Sequence, residues 1–115
     1  VNIYIASPYT HSSDVVKQDR FERVAHFTAK VMRDGGFAFS PIVHGHQLSV
    51  LHSLPDDFAY WERYCLSTLS LAKVLYVLML DGWLESVGVQ AEIAFAEQNN
   101  IPVAYYEPET YEVAA

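Results

Sequence analysis

Strand-like and helix-like patterns alternate along this chain, and that alternation limits the possible folds more than any other feature. Val1-Asn2-Ile3-Tyr4-Ile5-Ala6 is a short apolar run stopped by Ser7-Pro8, which predicts a strand. From about Ser13 to Asp34, the residues Phe21, Val24, Ala25, Thr28, Val31 and Met32 recur at three- and four-residue spacing. This predicts a helix capped by Ser13 or Asp14 and ended by Gly35-Gly36. Phe37 to Ile42 reads as a second strand broken by Pro41, and His44 to Pro55 as loop. Pro55-Asp56-Asp57 opens a helix that runs to about Leu71. Lys73 to Leu80 is apolar on both faces, as a central parallel strand is. A turn at Asp81-Gly82-Trp83, a helix from Ser86 to about Asn99 and a strand from Ile101 to Tyr106 follow. The tail, Glu107 to Ala115, is expected to be mobile or to dock on a partner.

The order β-α-β-α-β-α-β predicts an α/β chain with a parallel sheet of four to five strands and helices on both faces. At 115 residues this is one domain. Ligands of such sheets bind beyond the carboxyl ends of the strands, where strand order reverses. The loops leaving those ends are Ser7-Pro8-Tyr9, Ser40 through His46, and Asp81 through Gly88.

Charge narrows the partners. Seven Lys and Arg against fourteen Asp and Glu give −7, a poor balance for gripping a nucleic-acid backbone. The longest apolar run, Val74 to Leu80, is strand length, so no membrane span is expected. Because the opening residues read as a strand, no signal peptide is expected and a cytoplasmic setting is the default. The lone Cys65 excludes an internal disulfide and any site needing two thiolates of this chain. Its mid-helix position reads as packing.

The richest stretch runs from Gly82 to Ala96. Ser86 caps the helix there, and Gly88 lies one turn before Glu92 on the same face. Glu92 neighbours Val89, Phe95 and Ala96 at helical spacing, so its carboxylate falls on the apolar side. Lacking a side chain, Gly88 is expected to leave space above it. A carboxyl buried in this way has a raised pKa and needs a partner or a purpose. The bland alternative is a boundary Glu bonded to a loop amide. The first loop, Ser7 to Ser13, offers hydroxyls beside a helix start, suited to a sugar hydroxyl or phosphate, or simply to capping. His44-Gly45-His46, with His52 and Asp56 or Asp57, suggests a metal site, although no zinc signature is present. Shaping a pocket wall is the other role for these histidines. Tyr60, Trp61 and Tyr64 share a helix face suited to a core, an interface or a nucleobase wall.

Three segments taken together carry a resemblance over nearly the whole chain: Ile3-Tyr4-Ile5-Ala6-Ser7-Pro8-Tyr9, Phe39-Ser40-Pro41-Ile42 with His44, and Gly82-Trp83 through Ser86, Gly88, Glu92 and Ala96. In order and spacing they resemble the nucleoside 2-deoxyribosyltransferase-like superfamily, especially its small bacterial and phage members. The resemblance implies a flavodoxin-like fold and cleavage of an N-glycosidic bond, either by base exchange or by hydrolysis of deoxynucleoside 5′-monophosphates. It implies no cofactor and no metal, a nucleoside or nucleotide ligand, and a homodimer or higher homo-oligomer. Glu92 matches the glutamate that attacks the sugar, and Tyr9 a tyrosine that positions Glu92 or the sugar. Ser86 matches a phosphate-contacting serine. Ser7, Pro8, Ser40, His44, Gly82, Trp83 and Gly88 fall at substrate-binding positions. The family's usual helix acid is replaced by Cys65, with Glu62 and Asp57 as substitutes, and Lys73 stands at a strand-opening position where Asp is common. No arginine lies in the first loop; Lys17 and Arg20 come later. Two helix starts, near Ser13 and at Ser86, favour a monophosphate over a free nucleoside. The alternatives are a non-catalytic nucleotide sensor and a metal hydrolase using His44, His46 and a carboxylate.

Overall fold

The computed structural model describes residues 2–114; Val1, at the start of the first predicted strand, and Ala115, at the end of the tail, lie outside them. In chain order the elements are β1 (Ile3–Ala6), α1 (Asp14–Arg33), β2 (Ala38–Phe39), α2 (Pro41–His52), α3 (Phe58–Leu69), β3 (Val74–Leu78), α4 (Val87–Gln98) and β4 (Val103–Tyr106). The strands form one parallel sheet in the order β2-β1-β3-β4. That is the flavodoxin-like order, and the alternation of strands and helices expected from the sequence is the observed one.

Strand periodicity divides the core between the two sheet faces. Tyr4, Ala6, Leu75 and Val77 point toward α3 and α4, packing with Cys65, Leu69, Val89, Ile93 and Ala96. Ile5 and Leu78 point the other way, against Val24 and Phe27 of α1. Three layers result. The chain turns to β2 on one side of β1, then crosses back to β3 on the other. Strand order therefore reverses at β1 and β3, and a crevice opens beyond their carboxyl ends.

Two segments depart from expectation. The second strand is only Ala38–Phe39, and the segment expected to be loop from His44 belongs to α2, which runs to His52. Ser40 Oγ accepts from Val43 N at 3.2 Å, and Pro41 occupies the first turn. Ser-Pro here starts a helix as well as stopping a strand. The helix ends at Ser53, whose φ of 59° is left-handed. Gly45 lets α2 approach α3, because a Cβ there would sit 3.3 Å from Trp61 Cζ2. The tail also differs: it docks on its own chain. Tyr106 bridges Val113 in antiparallel sense, and the Tyr111 hydroxyl lies 2.6 Å from His26 Nδ1 of α1.

Candidate functional site

A cavity of about 470 Å³ occupies the crevice at the strand ends. It draws on four segments: Ser7 and Tyr9 after β1, Pro41 to Ser49 of α2, Asp56 to Cys65 around α3, and Glu85 to Glu92 entering α4.

Glu92 lies at its base, 4% exposed. Helical spacing puts it on the inward face of α4 beside Val89, Ile93 and Ala96. The Tyr4 hydroxyl, from β1, donates to its Oε2. The partner is thus a phenol from the sheet, not a loop amide. Burial pushes the Glu92 carboxyl up to about 8, opposed by the Tyr4 hydrogen bond. Tyr4 itself is raised well above its ordinary value by burial and by the neighbouring carboxylate. Cys65 completes the cluster; burial first, then Glu92, push its thiol up to about 12. That thiol is a poor nucleophile, since attack needs the thiolate.

Five of the ten residues expected at the site line this cavity: Ser7, Tyr9, Ser86, Gly88 and Glu92. Ser7 is 5% exposed, and its Oγ has no hydrogen-bond partner among the described residues. Ser86 caps α4, accepting from Val89 N at 3.2 Å. Gly88 does not leave open space as expected. The Phe58 ring fills it, and a Cβ at Gly88 would meet Phe58 Cδ1 at 2.9 Å. Tyr9 does not touch Glu92; its hydroxyl lies 2.7 Å from His46 Nδ1.

The other five lie away from the cavity wall. Pro8 is fully buried beneath the first loop. Ser40 is used as the cap of α2. His44 stacks on Tyr64, with ring centroids 5.3 Å apart and 12° between planes. Trp83 packs on Tyr105. Gly82, at φ +92°, turns the chain beneath the Arg20 guanidinium, where a Cβ would come 2.7 Å from Nη2. Arg20 donates to the carbonyls of Thr10 and Asp81, each at 3.0 Å, and to Tyr9 at 3.4 Å. It thereby pins the loops after β1 and β3 to each other. Lys17 is occupied as well, 2.6 Å from Asp56 and 3.2 Å from Asp14.

The start of α1 does not reach this cavity, so the two expected helix starts do not converge there; only that of α4 borders it. The two histidines of the metal alternative part company too. Two residues apart on α2, His44 goes to Tyr64 while His46 goes to Tyr9 and Gln18. Among the described residues, no group of three His, Cys, Asp or Glu stands close enough to hold a metal ion. Nor is any described helix long and apolar enough to cross a membrane.

Site residues that the sequence did not single out are Tyr4, Phe58 and Ser49. For Tyr4 a signal existed: strand alternation puts it on the same sheet face as Ala6, toward the helix that carries Glu92.

No curated protein matches this sequence. A family model described as a domain of unknown function, DUF1937, matches residues 1–108. Spanning nearly all of the 115 residues, that match makes the chain a member of the DUF1937 family.

Proposed function

We propose that the protein cleaves the N-glycosidic bond of a deoxynucleoside or its 5′-monophosphate through a covalent ester on Glu92. The observation that carries this reading is the buried Glu92 carboxyl, held by Tyr4 at the base of a cavity large enough for a nucleoside. One Glu92 oxygen attacks the anomeric carbon. The bond from that carbon to the base nitrogen breaks, and its electron pair leaves with the base. Water or a second base then attacks the same carbon and releases Glu92, with net retention.

The raised pKa fits this chemistry. With its pKa raised to about 8, Glu92 favours the protonated form at neutral pH, and the departing base needs one proton to leave as a neutral molecule. Positive charge developing on the sugar favours the ionised carboxylate at the moment of attack. The released proton and the one that the base takes up therefore balance. Asp57, which lines the cavity, is the residue we assign to hand a proton on, in place of the acid that Cys65 displaces. Ser7 Oγ and the first turn of α4 supply donors for sugar or phosphate oxygens. A small-molecule enzyme with no resident cofactor, working in the cytoplasm as a homo-oligomer, fits this picture.

Incubation with deoxynucleosides and their monophosphates, with and without an acceptor base, tests the proposal. Free base or exchanged product is expected, and Glu92→Gln lowers its rate by several orders of magnitude. Release of base at an undiminished rate by Glu92→Gln overturns the covalent mechanism. The second reading is a nucleotide sensor. It is favoured by the raised pKa of Glu92, which disfavours the attacking carboxylate, and by a thiol where the resembled family usually has an acid, and it predicts binding without turnover.

A further inference from the structure

Tyr9 stands in a partition. On one side is the Glu92 cavity, and on the other a second hollow of about 460 Å³ bordered by Lys17, Gln18 and Leu54. Tyr9, His46, Ser49 and Asp56 border both. The hydroxyl of Tyr9 ends a chain of hydrogen bonds whose direction is set from the far end.

That far end is Glu22, whose carboxylate lies 2.9 Å from Gln18 Nε2. A carboxylate accepts only, so the Gln18 amide must place its NH₂ group there. Its carbonyl oxygen then faces His46 Nε2 at 2.9 Å. An amide oxygen also accepts only, so Nε2 carries the imidazole proton. Burial, and then the Lys17 ammonium, hold His46 below its ordinary pKa, so the ring is neutral at pH 7. Phe21, stacked on it at 4.2 Å, keeps its plane. The Nδ1 atom is therefore bare, and the Tyr9 hydroxyl 2.7 Å away must be its donor.

We infer that Tyr9 is a specificity-determining residue that accepts a hydrogen bond from the ligand and has no proton left to give it. The ligand group facing it must be an N–H or O–H. On the proposed function, on which this ligand class rests, that group is an exocyclic amine of the base or a hydroxyl of the sugar. A carbonyl at the same point meets a lone pair, and the mismatch leaves two acceptors facing each other with no proton between them.

Binding to the Glu92→Gln protein tests this without turnover. Deoxyadenosine is compared with deoxyinosine and deoxycytidine with deoxyuridine, and deoxyadenosine with its 3′- and 5′-fluoro analogues. If the base faces Tyr9, the amino member of at least one pair binds about tenfold or more tightly; if the sugar does, one fluoro analogue loses as much. Adding Tyr9→Phe erases the difference. Adding Gln18→Leu, which leaves the Tyr9 hydroxyl in place but frees the imidazole tautomer, shrinks it. Equal binding throughout overturns the inference, as does a difference that survives both substitutions. Nitrogen-15 spectra of His46 read the proton order with no ligand present. The proton is expected on Nε2 alone at pH 7, and a proton on Nδ1 or on both nitrogens overturns the inference. If no nucleoside or monophosphate binds at all, the glycosidase reading falls, and the spectrum alone decides the direction of the chain.

Discussion

A single buried carboxyl is costly for this protein's stability. The Glu92 pKa rises from an ordinary 4.5 to about 8, so the folded protein prefers the protonated form. Its contribution to stability is complete below pH 4.5 and is lost as pH rises through about 8. Glu92→Gln removes that loss. Denaturant unfolding of the two proteins is expected to diverge in favour of the variant by on the order of 2–4 kcal/mol between pH 5 and pH 9. Parallel curves would mean that Glu92 ionises as freely in the folded state as in water. Tyr4→Phe acts in the opposite sense, because the lost hydrogen bond is what lowers this pKa. The alkaline shift of the kcat/KM profile and a fall of about a hundredfold at pH 7 are the expected readouts. Of this pair, only Glu92 was legible in the sequence. A carboxylate among apolar neighbours at helical spacing stands out, whereas a tyrosine in a strand looks like ordinary core until the helix above it is known.

Helix and strand order followed from periodicity, while α2 did not. Its three histidines and a glycine blur any apolar stripe, and Ser40-Pro41 reads equally as the end of a strand or the start of a helix. Without that helix, the pattern gives Pro41, Gly45, His46 and Ser49 no common scaffold, although all line the cavity. The contact between α3 and α4 gives a prediction at this scale. In Gly88→Ala the new Cβ presses on Phe58 at 2.9 Å. Overpacking costs about 1 kcal/mol at the low end of its range, and because Gly88 is the second residue of α4, the helix-propensity gain from alanine offsets only part of it. The thermal midpoint is therefore expected to move little, while Phe58 is pushed from its place on the cavity wall and nucleoside affinity falls several-fold. A large loss of stability with affinity unchanged would show that the ring cannot yield.

Across the whole molecule, the helical faces are covered unevenly. Tyr60 and Tyr64 of α3 are 51% and 44% exposed, and Val50 and Leu51 near the end of α2 are exposed as well. Trp61 is held inward by its indole bond to Pro55 O at 2.8 Å. Tyr60 and Tyr64 are thus the aromatics of this face that a second copy would cover, while Trp61 belongs to the protein's own packing. Light scattering is expected to give at least a dimer, and Tyr60→Lys with Tyr64→Lys to give a monomer. A wild-type monomer at all concentrations would mean that this surface does not mediate self-association. Nothing in the sequence pattern separated these three aromatics, because only the fold decides which of them finds a loop carbonyl.

The docked tail has a consequence for solubility. A parallel sheet ends in two strands with unpaired backbone groups, each a template on which another chain can add. One border, β2, offers only Ala38 and Phe39, too short to recruit much. The other, β4, is four residues long, and the tail crosses it: Glu107 N donates to Glu112 O at 2.9 Å, and Ala114 N to Tyr105 O at 2.7 Å. Removing residues 107–115 is expected to leave circular dichroism nearly unchanged and to bring on thioflavin-positive aggregates within hours at concentrations where the full chain stays clear. Residues 107–114 then act as a selvedge, the finished border that keeps a woven cloth from taking up further thread.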